Sequence, residues 1–174
     1  MMRPMKTHLF PALLAALCLA FTATAAHAGD LTYPKDSKPA FTFKLPDGWV
    51  SNDGAGGNLV IHTANSLGVI SLIVVDDADS VKMPIDKFAR AVFDGAGIKT
   101  IDKQEDAELA GVKGRAYYGV LKPDGTTVVN LKITIIHIDD THLATLTRAC
   151  GQGIPDADAA AVDGVIKSAV LVAK

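Results

Sequence analysis

The sequence is poor in cysteine, which limits how the chain can be stabilised. Only Cys18 and Cys150 occur among its 174 residues. Cys18 lies in an N-terminal segment that we expect to be removed, which would leave Cys150 without a partner for an intramolecular disulfide. A domain without disulfides depends on its apolar core, and a chain of this length can build one. We interpret Cys150 as a small buried apolar residue; a reactive or intermolecular thiol is the alternative.

Familiar catalytic motifs are also absent. The sequence contains neither a Gly-x-Ser-x-Gly elbow nor a Ser-x-x-Lys pattern of the catalytic type. It contains neither Gly-x-x-x-x-Gly-Lys nor Gly-x-Gly-x-x-Gly after a strand. The acidic run Asp76–Asp79 fails as a calcium loop, because Val81 stands where an oxygen ligand is required. We therefore expect a protein that is not an enzyme, with no catalytic residue and no bound cofactor.

Long apolar runs are missing beyond the N-terminus, so no later segment could span a membrane as a helix. At the N-terminus, Arg3 and Lys6 precede an apolar run from Leu9 to Phe21, and Ala26-His27-Ala28 has small residues at the two positions that a signal peptidase reads. This pattern predicts a signal peptide at residues 1–28, cleaved after Ala28. The mature protein would then be periplasmic or secreted.

Excess positive charge is absent as well. The chain has 17 basic and 19 acidic residues, and the first 28 positions hold two of the basic residues and none of the acidic ones. The remainder therefore has a formal charge of −4. This balance argues against nucleic acid or an anionic membrane surface as the partner.

The spacing of apolar residues predicts strands grouped on either side of a helix. Residues 29–39 are polar, contain two prolines and predict an extended N-terminal arm. A single domain then covers residues 40–174. Its predicted elements are strands at 41–45, 59–63, 69–75, 99–108, 112–121, 127–138 and 142–149, with helices from Pro84 to about Gly95 and from Pro155 onward. This order predicts an α+β sandwich, with a mainly antiparallel sheet of six or seven strands flanked by helices.

The first of these strands and the turn after it resemble the PsbP-like superfamily. The stretch "FTFKLPDGW" has aromatic residues at Phe41 and Phe43, a turn at Pro46 and Gly48, and then Trp49, the only tryptophan. The helix "MPIDKFARAVF", the long meander and the closing helix follow in the order of that superfamily. It includes the PsbP extrinsic subunit of photosystem II, a Ran-binding nuclear import factor and bacterial DcrB-like proteins. The resemblance implies a central antiparallel sheet with helices on both sides.

The resemblance also implies a class of function. Characterised members mostly bind other proteins or stabilise assemblies, although one fold can host many functions. We therefore expect an exported binding or accessory protein that acts on an unidentified protein partner. An immunity-type or chaperone-like partner of a secreted effector is a narrower alternative, since DcrB-like relatives include such roles. The loop at residues 51–58 and the turn at Asp139-Asp140 are candidate elements for presenting a contact surface.

The stretch "HIDDTH" supplies a second hypothesis from another class. A tight turn at Asp139-Asp140 would place His137 opposite His142, with Ala144 opposite Ile135. Two imidazoles on paired strands lie close enough to bind one Zn²⁺ or Cu²⁺. A metal site needs at least a third ligand, and both aspartates are also needed for the turn. The alternatives are a metal-binding protein that uses His137 and His142, and a plain histidine pair at the sheet margin.

Overall fold

The computed structural model describes residues 29–37, 39–54 and 57–172. The predicted signal peptide, residues 1–28, lies outside this part of the chain. The described elements are β1 (Gly29–Tyr33), β2 (Ala40–Leu45), β3 (Val50–Gly54), β4 (Asn58–His62), β5 (Gly68–Val75), α1 (Ala78–Val81), α2 (Ile85–Gly95), β6 (Lys103–Leu109), β7 (Val112–Leu121), β8 (Val129–His137), β9 (Leu143–Gly151), α3 (Asp156–Lys167) and β10 (Val170–Val172). No helix in these ranges is long and apolar enough to cross a membrane.

The strands form two sheets. The larger sheet has seven strands in the order β3-β4-β5-β9-β8-β7-β6, and the smaller has three in the order β1-β2-β10. Every strand pairing is antiparallel. The predicted α+β architecture is therefore confirmed. The small second sheet is an addition that the sequence did not predict.

The two faces of the large sheet are covered by different elements. On one face, here called the helix face, α2 buries Phe88 and Phe93 against Ile133 and Ile135 of β8. The charged side of α2 is turned outward, as expected for an amphipathic helix. The apolar stripe of α2, with Phe88, Val92 and Phe93, packs on the sheet, as its helical spacing predicts.

The opposite face, here called the sandwich face, packs against the small sheet and α3. Its core contains Phe41 and Phe43 of β2, together with Leu72 and Leu146 of the large sheet. Trp49, which follows the Asp47-Gly48 turn, belongs to the same core and is buried. Each large side chain buried in this way contributes about 1.5–3 kcal/mol to the stability of the fold. The aromatic residues that carry the family resemblance are thus core residues.

Two segments that sequence patterns predict to be irregular are strands. The predicted N-terminal arm contains β1, which pairs with β2 from Gly29 opposite Leu45 to Tyr33 opposite Phe41. The predicted loop at 51–58 contains most of β3, which pairs with β4. Both strands lie at the edge of a sheet and are mostly polar. Backbone hydrogen bonds to the neighbouring strand hold both segments in extended conformation, although their side-chain pattern does not predict a strand.

The end of the chain also departs from the predicted helical pattern. Helical spacing predicts that Val170 completes the apolar stripe of the last helix, but α3 ends at Lys167 and Val170 begins β10. The backbone N–H of Ser168 closes the helix by donating to the carbonyls of Gly164 and Val165. The chain then reverses to pair with β2, with Val170 opposite Thr42. Val170 is consequently 59% exposed, while Val162 and Val165 are buried as predicted.

Two glycines allow the helices to approach the large sheet closely. A Cβ atom on Gly119 of β7 would lie 2.6 Å from Cε1 of Phe93 in α2 and 3.2 Å from the carbonyl oxygen of Thr100. A Cβ atom on Gly68 of β5 would lie 2.7 Å from Cγ2 of Val162 in α3. The contacts with Phe93 and Val162 would both be shorter than normal carbon–carbon contacts. Gly119 therefore sets the approach on the helix face, and Gly68 sets it on the sandwich face.

The substitution Gly119→Ala should destabilise the protein. The added methyl group has to displace the fully buried ring of Phe93, and overpacking of this kind costs about 1–3 kcal/mol. The measurement is the free energy of unfolding from urea titration monitored by circular dichroism.

A matched control is Gly164→Ala on the outer side of α3. No atom lies within 4 Å of the position that the added methyl group would take there, apart from atoms of the local helix backbone and chain neighbours. This substitution should leave stability unchanged or raise it by about 0.5–1 kcal/mol, because alanine is the better helix former. Equal effects of the two substitutions would contradict the role assigned to Gly119.

Candidate functional site

The β8–β9 hairpin does not bring the two histidines opposite each other. His137 pairs with Leu143, and Ile136 pairs with Ala144, so the register differs by one residue from the predicted one. His142 lies in the connection, outside the paired strands. A shift of one residue moves every partner to the other face of the sheet. The predicted pairing of His137 with His142 is therefore wrong.

Local hydrogen bonds at the hairpin tip explain this register. The carboxylate of Asp139 accepts from the backbone N–H of Thr141 at 2.7 Å and from its hydroxyl at 2.8 Å. It also lies 2.9 Å from Nδ1 of His142. The backbone N–H of Ile138 donates to the carbonyl of His142 at 2.9 Å. These bonds close a five-residue connection, residues 138–142, whereas the predicted pairing of His137 with His142 leaves four residues between them.

Among the described residues, this arrangement supplies no third ligand for a metal site that uses His137 and His142. The described residues contain no group of three or more histidine, cysteine, aspartate or glutamate side chains placed to hold a metal ion. Asp139 is already hydrogen-bonded to Thr141 and His142.

Metal binding by His137 and His142 stays a prediction. Zn²⁺ should raise the melting temperature of the protein, and the double variant His137→Ala/His142→Ala should lose that rise.

A cluster of charged groups on the helix face connects α2 to the sheet. The carboxylate of Asp86, in the first turn of α2, accepts from Nη1 of Arg115 at 3.0 Å and from the Tyr117 hydroxyl at 2.5 Å. Burial, and then the hydrogen bond to Asp86, raises the pKa of Tyr117 well above its usual value. Arg115 and Tyr117 both belong to β7. We interpret this cluster as a tether that fixes the start of α2 on the sheet.

The sandwich face is only partly covered, and the exposed portion is the best candidate for a functional surface. The covering elements bury this face at β4, β5 and β9, but the parts of β6, β7 and β8 farthest from the small sheet remain accessible. We call this surface the open half. Its outward side chains are Lys103, Glu105, Tyr118, Val120, Asn130 and Lys132, and all of them are partly or fully exposed. Val120, the last residue but one of β7, is 37% exposed.

A row of cationic groups crosses the open half in strand register. Lys103 of β6 pairs with Tyr118 of β7, which pairs with Lys132 of β8, which pairs with Arg148 of β9. The Nζ atoms of Lys103 and Lys132 lie 5.0 Å and 5.5 Å from the centroid of the Tyr118 ring. Both distances are in the range of cation–π interactions. The ring thus lies between two ammonium groups on neighbouring strands, and the row continues to the guanidinium of Arg148.

Two carboxylates neutralise part of this row. Glu105 lies 2.6 Å from Nζ of Lys103, but 4.0 Å from Nζ of Lys132, and it accepts a hydrogen bond from the hydroxyl of Tyr118. The hydrogen bond from Lys103, followed by that from Tyr118, lowers the pKa of Glu105. Asp163 of α3 accepts from Nε of Arg148 at 2.6 Å. Lys132 therefore lacks a carboxylate at hydrogen-bond distance among the described residues.

Sequence reasoning did not single out any of these side chains. The pattern of β6, β7 and β8 shows which residues alternate, but the row exists only because the register places Lys103, Tyr118 and Lys132 side by side. Lys103 and Lys132 are 29 positions apart in the sequence. The sequence contains one weak indication that this face is open. Alternation along β7 and β8 places Tyr118 and Val120 on the same face as Lys132, which is charged. Positions on a fully covered face would be apolar throughout.

The substitution Asp139→Asn should lower the melting temperature in a pH-dependent way. The hydroxyl and then the backbone N–H of Thr141, followed by His142, hold the pKa of the Asp139 carboxyl far below its ordinary value. A depressed folded-state pKa stabilises the protein above the unfolded-state pKa of about 3.9, and the stabilisation is lost as the pH falls further. The melting-temperature difference between the two proteins should therefore be constant near neutrality and shrink below about pH 4.

The neighbouring substitution Asp140→Asn is the matched control. The described part of the chain shows no hydrogen-bond partner for the Asp140 side chain, so this change should leave the pH profile of the melting temperature unaltered. A melting-temperature difference for Asp139→Asn that stays constant into strong acid would contradict the assigned role.

Comparisons with known proteins identify the fold. No protein-family profile and no curated protein matches the sequence. Several solved structures are similar, among them the following two. One is the crystal structure of LpqN, a protein involved in cell envelope biogenesis of Mycobacterium tuberculosis, with a TM-score of 0.57 and 12% sequence identity over 84% of this chain and 92% of that chain.

Another similar structure is the solution structure of cyanobacterial PsbP (CyanoP) from Synechocystis sp. PCC 6803. Its TM-score is 0.55 and its sequence identity 16%, over 90% of this chain and 99% of that chain. Identities this low are informative about architecture only. The order of strands and helices, the antiparallel sheet and these two similarities together show that the chain has the PsbP-like fold.

Proposed function

We propose that this protein is an exported accessory protein of the cell envelope, which acts by binding another protein and performs no catalysis. The observation that carries the proposal is the open half of the large sheet. Tyr118 and Val120 remain accessible there, although the rest of the same face is covered by the small sheet and α3. Accessible aromatic and aliphatic groups among polar side chains are typical of protein-binding surfaces.

The location in the envelope has two supports. The N-terminal residues have the pattern of an export signal. One protein of similar fold, LpqN, is described as involved in cell envelope biogenesis. An immunity-type or chaperone-like partner of a secreted effector would be a special case of the same proposal, and the identity of the bound protein would distinguish it from other accessory roles.

The rigidity of the surface also supports a binding role. β7 and β8 are interior strands: β7 pairs with β6 up to Tyr118 and with β8 up to Leu121, and β8 pairs with β9 along its whole length. Side chains fixed on paired strands lose little conformational entropy when they bind a partner. The tether from Asp86 to Tyr117 and the packing of Phe93 on Gly119 stabilise β7 from behind.

Site-specific photocross-linking in the producing cells tests this proposal. A benzophenone amino acid placed at Val120 should give one discrete cross-linked species after irradiation, and mass spectrometry would identify the protein attached. The same amino acid at Lys113 is the matched control, because Lys113 is exposed on β7 but lies outside the open half. Lys113 should give no such species. Equal cross-linking from both positions, or none from Val120, would overturn the proposal.

A further inference from the structure

The charges of the open half indicate the chemical class of the partner, which the proposed function leaves open. The proposed function requires only a protein that contacts this surface. The row crosses four neighbouring strands and has a cation on three of them, Lys103, Lys132 and Arg148. Glu105 and Asp163 pair with the first and the last of these cations, so the row keeps one excess positive charge, while the chain outside the predicted signal peptide has a formal charge of −4. A local positive surface on an acidic chain is not explained by average composition.

Folding alone does not account for this row. Lys132 and Arg148 are direct cross-strand partners. Like charges directly opposite each other destabilise a sheet. Asp163 pairs with Arg148 at 2.6 Å and balances part of its charge. Among the described residues, the nearest carboxylate to Lys132 is that of Glu105, at 4.0 Å, which is beyond hydrogen-bond distance. Among the described residues, the ammonium of Lys132 thus has N–H donors that no carboxylate accepts from, and these donors can bind a group on a partner.

The neighbours of Lys132 favour a carboxylate as that group. On one side the Tyr118 ring provides an apolar wall, and on the other Arg148 supplies a second positive charge. Asn130, two residues before Lys132 on the same face, adds an exposed amide that can donate to an oxygen. An anionic oxygen over Lys132 would gain charge-assisted hydrogen bonds, whereas a cationic group would meet Lys132 and Arg148.

We infer that the open half binds an acidic segment of a partner protein, whose carboxylates lie along the row formed by Lys103, Lys132 and Arg148. Tyr118 and Val120 provide the apolar contact between these charges. This inference rests on the proposed function, because it names the chemistry of the protein that would contact the same surface. The partner's acidic side chains would balance the charge of the row in the complex.

A nuclear magnetic resonance titration with a hexaglutamate peptide tests the inference on the purified protein. The peptide should shift the signals of Lys103, Tyr118, Asn130 and Lys132 more than those of other surface residues. The double variant Lys103→Gln/Lys132→Gln should weaken binding about tenfold. Its melting temperature should stay within about 2 °C of the original, because exposed ion pairs contribute little to stability.

The control variant is Lys87→Gln/Lys113→Gln, which makes the same change in net charge outside the open half. It should bind hexaglutamate as the original protein does. Raising the ionic strength from about 0.01 M to about 1 M should abolish the binding, because the Debye length falls from about 30 Å to about 3 Å. Equal losses in the two double variants would show binding to net charge alone and would overturn the inference.

Further measurements distinguish an acidic protein segment from another polyanion, and distinguish failure of this inference from failure of the proposed function. Tighter binding to phosphatidylglycerol vesicles or to a single-stranded oligonucleotide than to hexaglutamate, with the same dependence on Lys132, would assign the row to another polyanion and overturn the inference. If Val120 cross-links a protein but Lys103→Gln/Lys132→Gln leaves the cross-link intact, the acidic partner is wrong and protein binding stands. If Val120 gives no cross-link, the proposed function fails, whatever the peptide does.

Discussion

A seven-stranded sheet in water has to cover two apolar faces, and the way this chain meets that requirement determines the rest of its structure. Strands lie about 4.8 Å apart, so seven strands span about 29 Å, whereas the three strands of the small sheet span only about 10 Å. One helix adds about another 10 Å of cover. The small sheet and α3 together are therefore too narrow for the whole sandwich face, and one end of β6, β7 and β8 stays accessible.

The position of the uncovered area follows from how each covering element is attached. Gly68 lets α3 approach β5, and Arg148 of β9 binds Asp163 of α3. Both contacts hold α3 over the middle of the sheet. On the helix face, Gly119 and the tether to Asp86 hold α2 over β7 and β8. The open half is consequently backed by a well-packed helix while its front remains free, which suits a surface that binds without changing shape.

The composition of the open half reflects this boundary. A strand covered on both faces would show apolar residues in succession, but β7 and β8 have Tyr118 and Lys132 at positions where the cover ends. Ala116 and Thr134, one step closer to the small sheet on the same face, are buried. The change from buried small residues to exposed long ones occurs within two residues along each strand. The cationic row lies just beyond that change.

In the hairpin between β8 and β9, a few local hydrogen bonds decide the strand register, which the alternation of apolar residues does not decide. Two registers bring apolar residues together on these strands, because both strands are mostly buried near the hairpin. A periodic pattern therefore does not choose between them. The bonds from Thr141 to Asp139, and from Ile138 to the carbonyl of His142, favour the five-residue connection. The choice separates His137 from His142 in the pairing and brings Lys132 opposite Arg148.

The sequence by itself determined the class of fold, the position of α2, the long meander and the core roles of Phe41, Phe43 and Trp49. These features depend on apolar periodicity and turn residues, which are local properties of the chain. The tertiary structure alone decided three of the edge strands, β1, β3 and β10, the register of the last hairpin and the open half. Backbone pairing between distant segments and the limited width of the covering layer produce these features, and neither is encoded in a short stretch of residues.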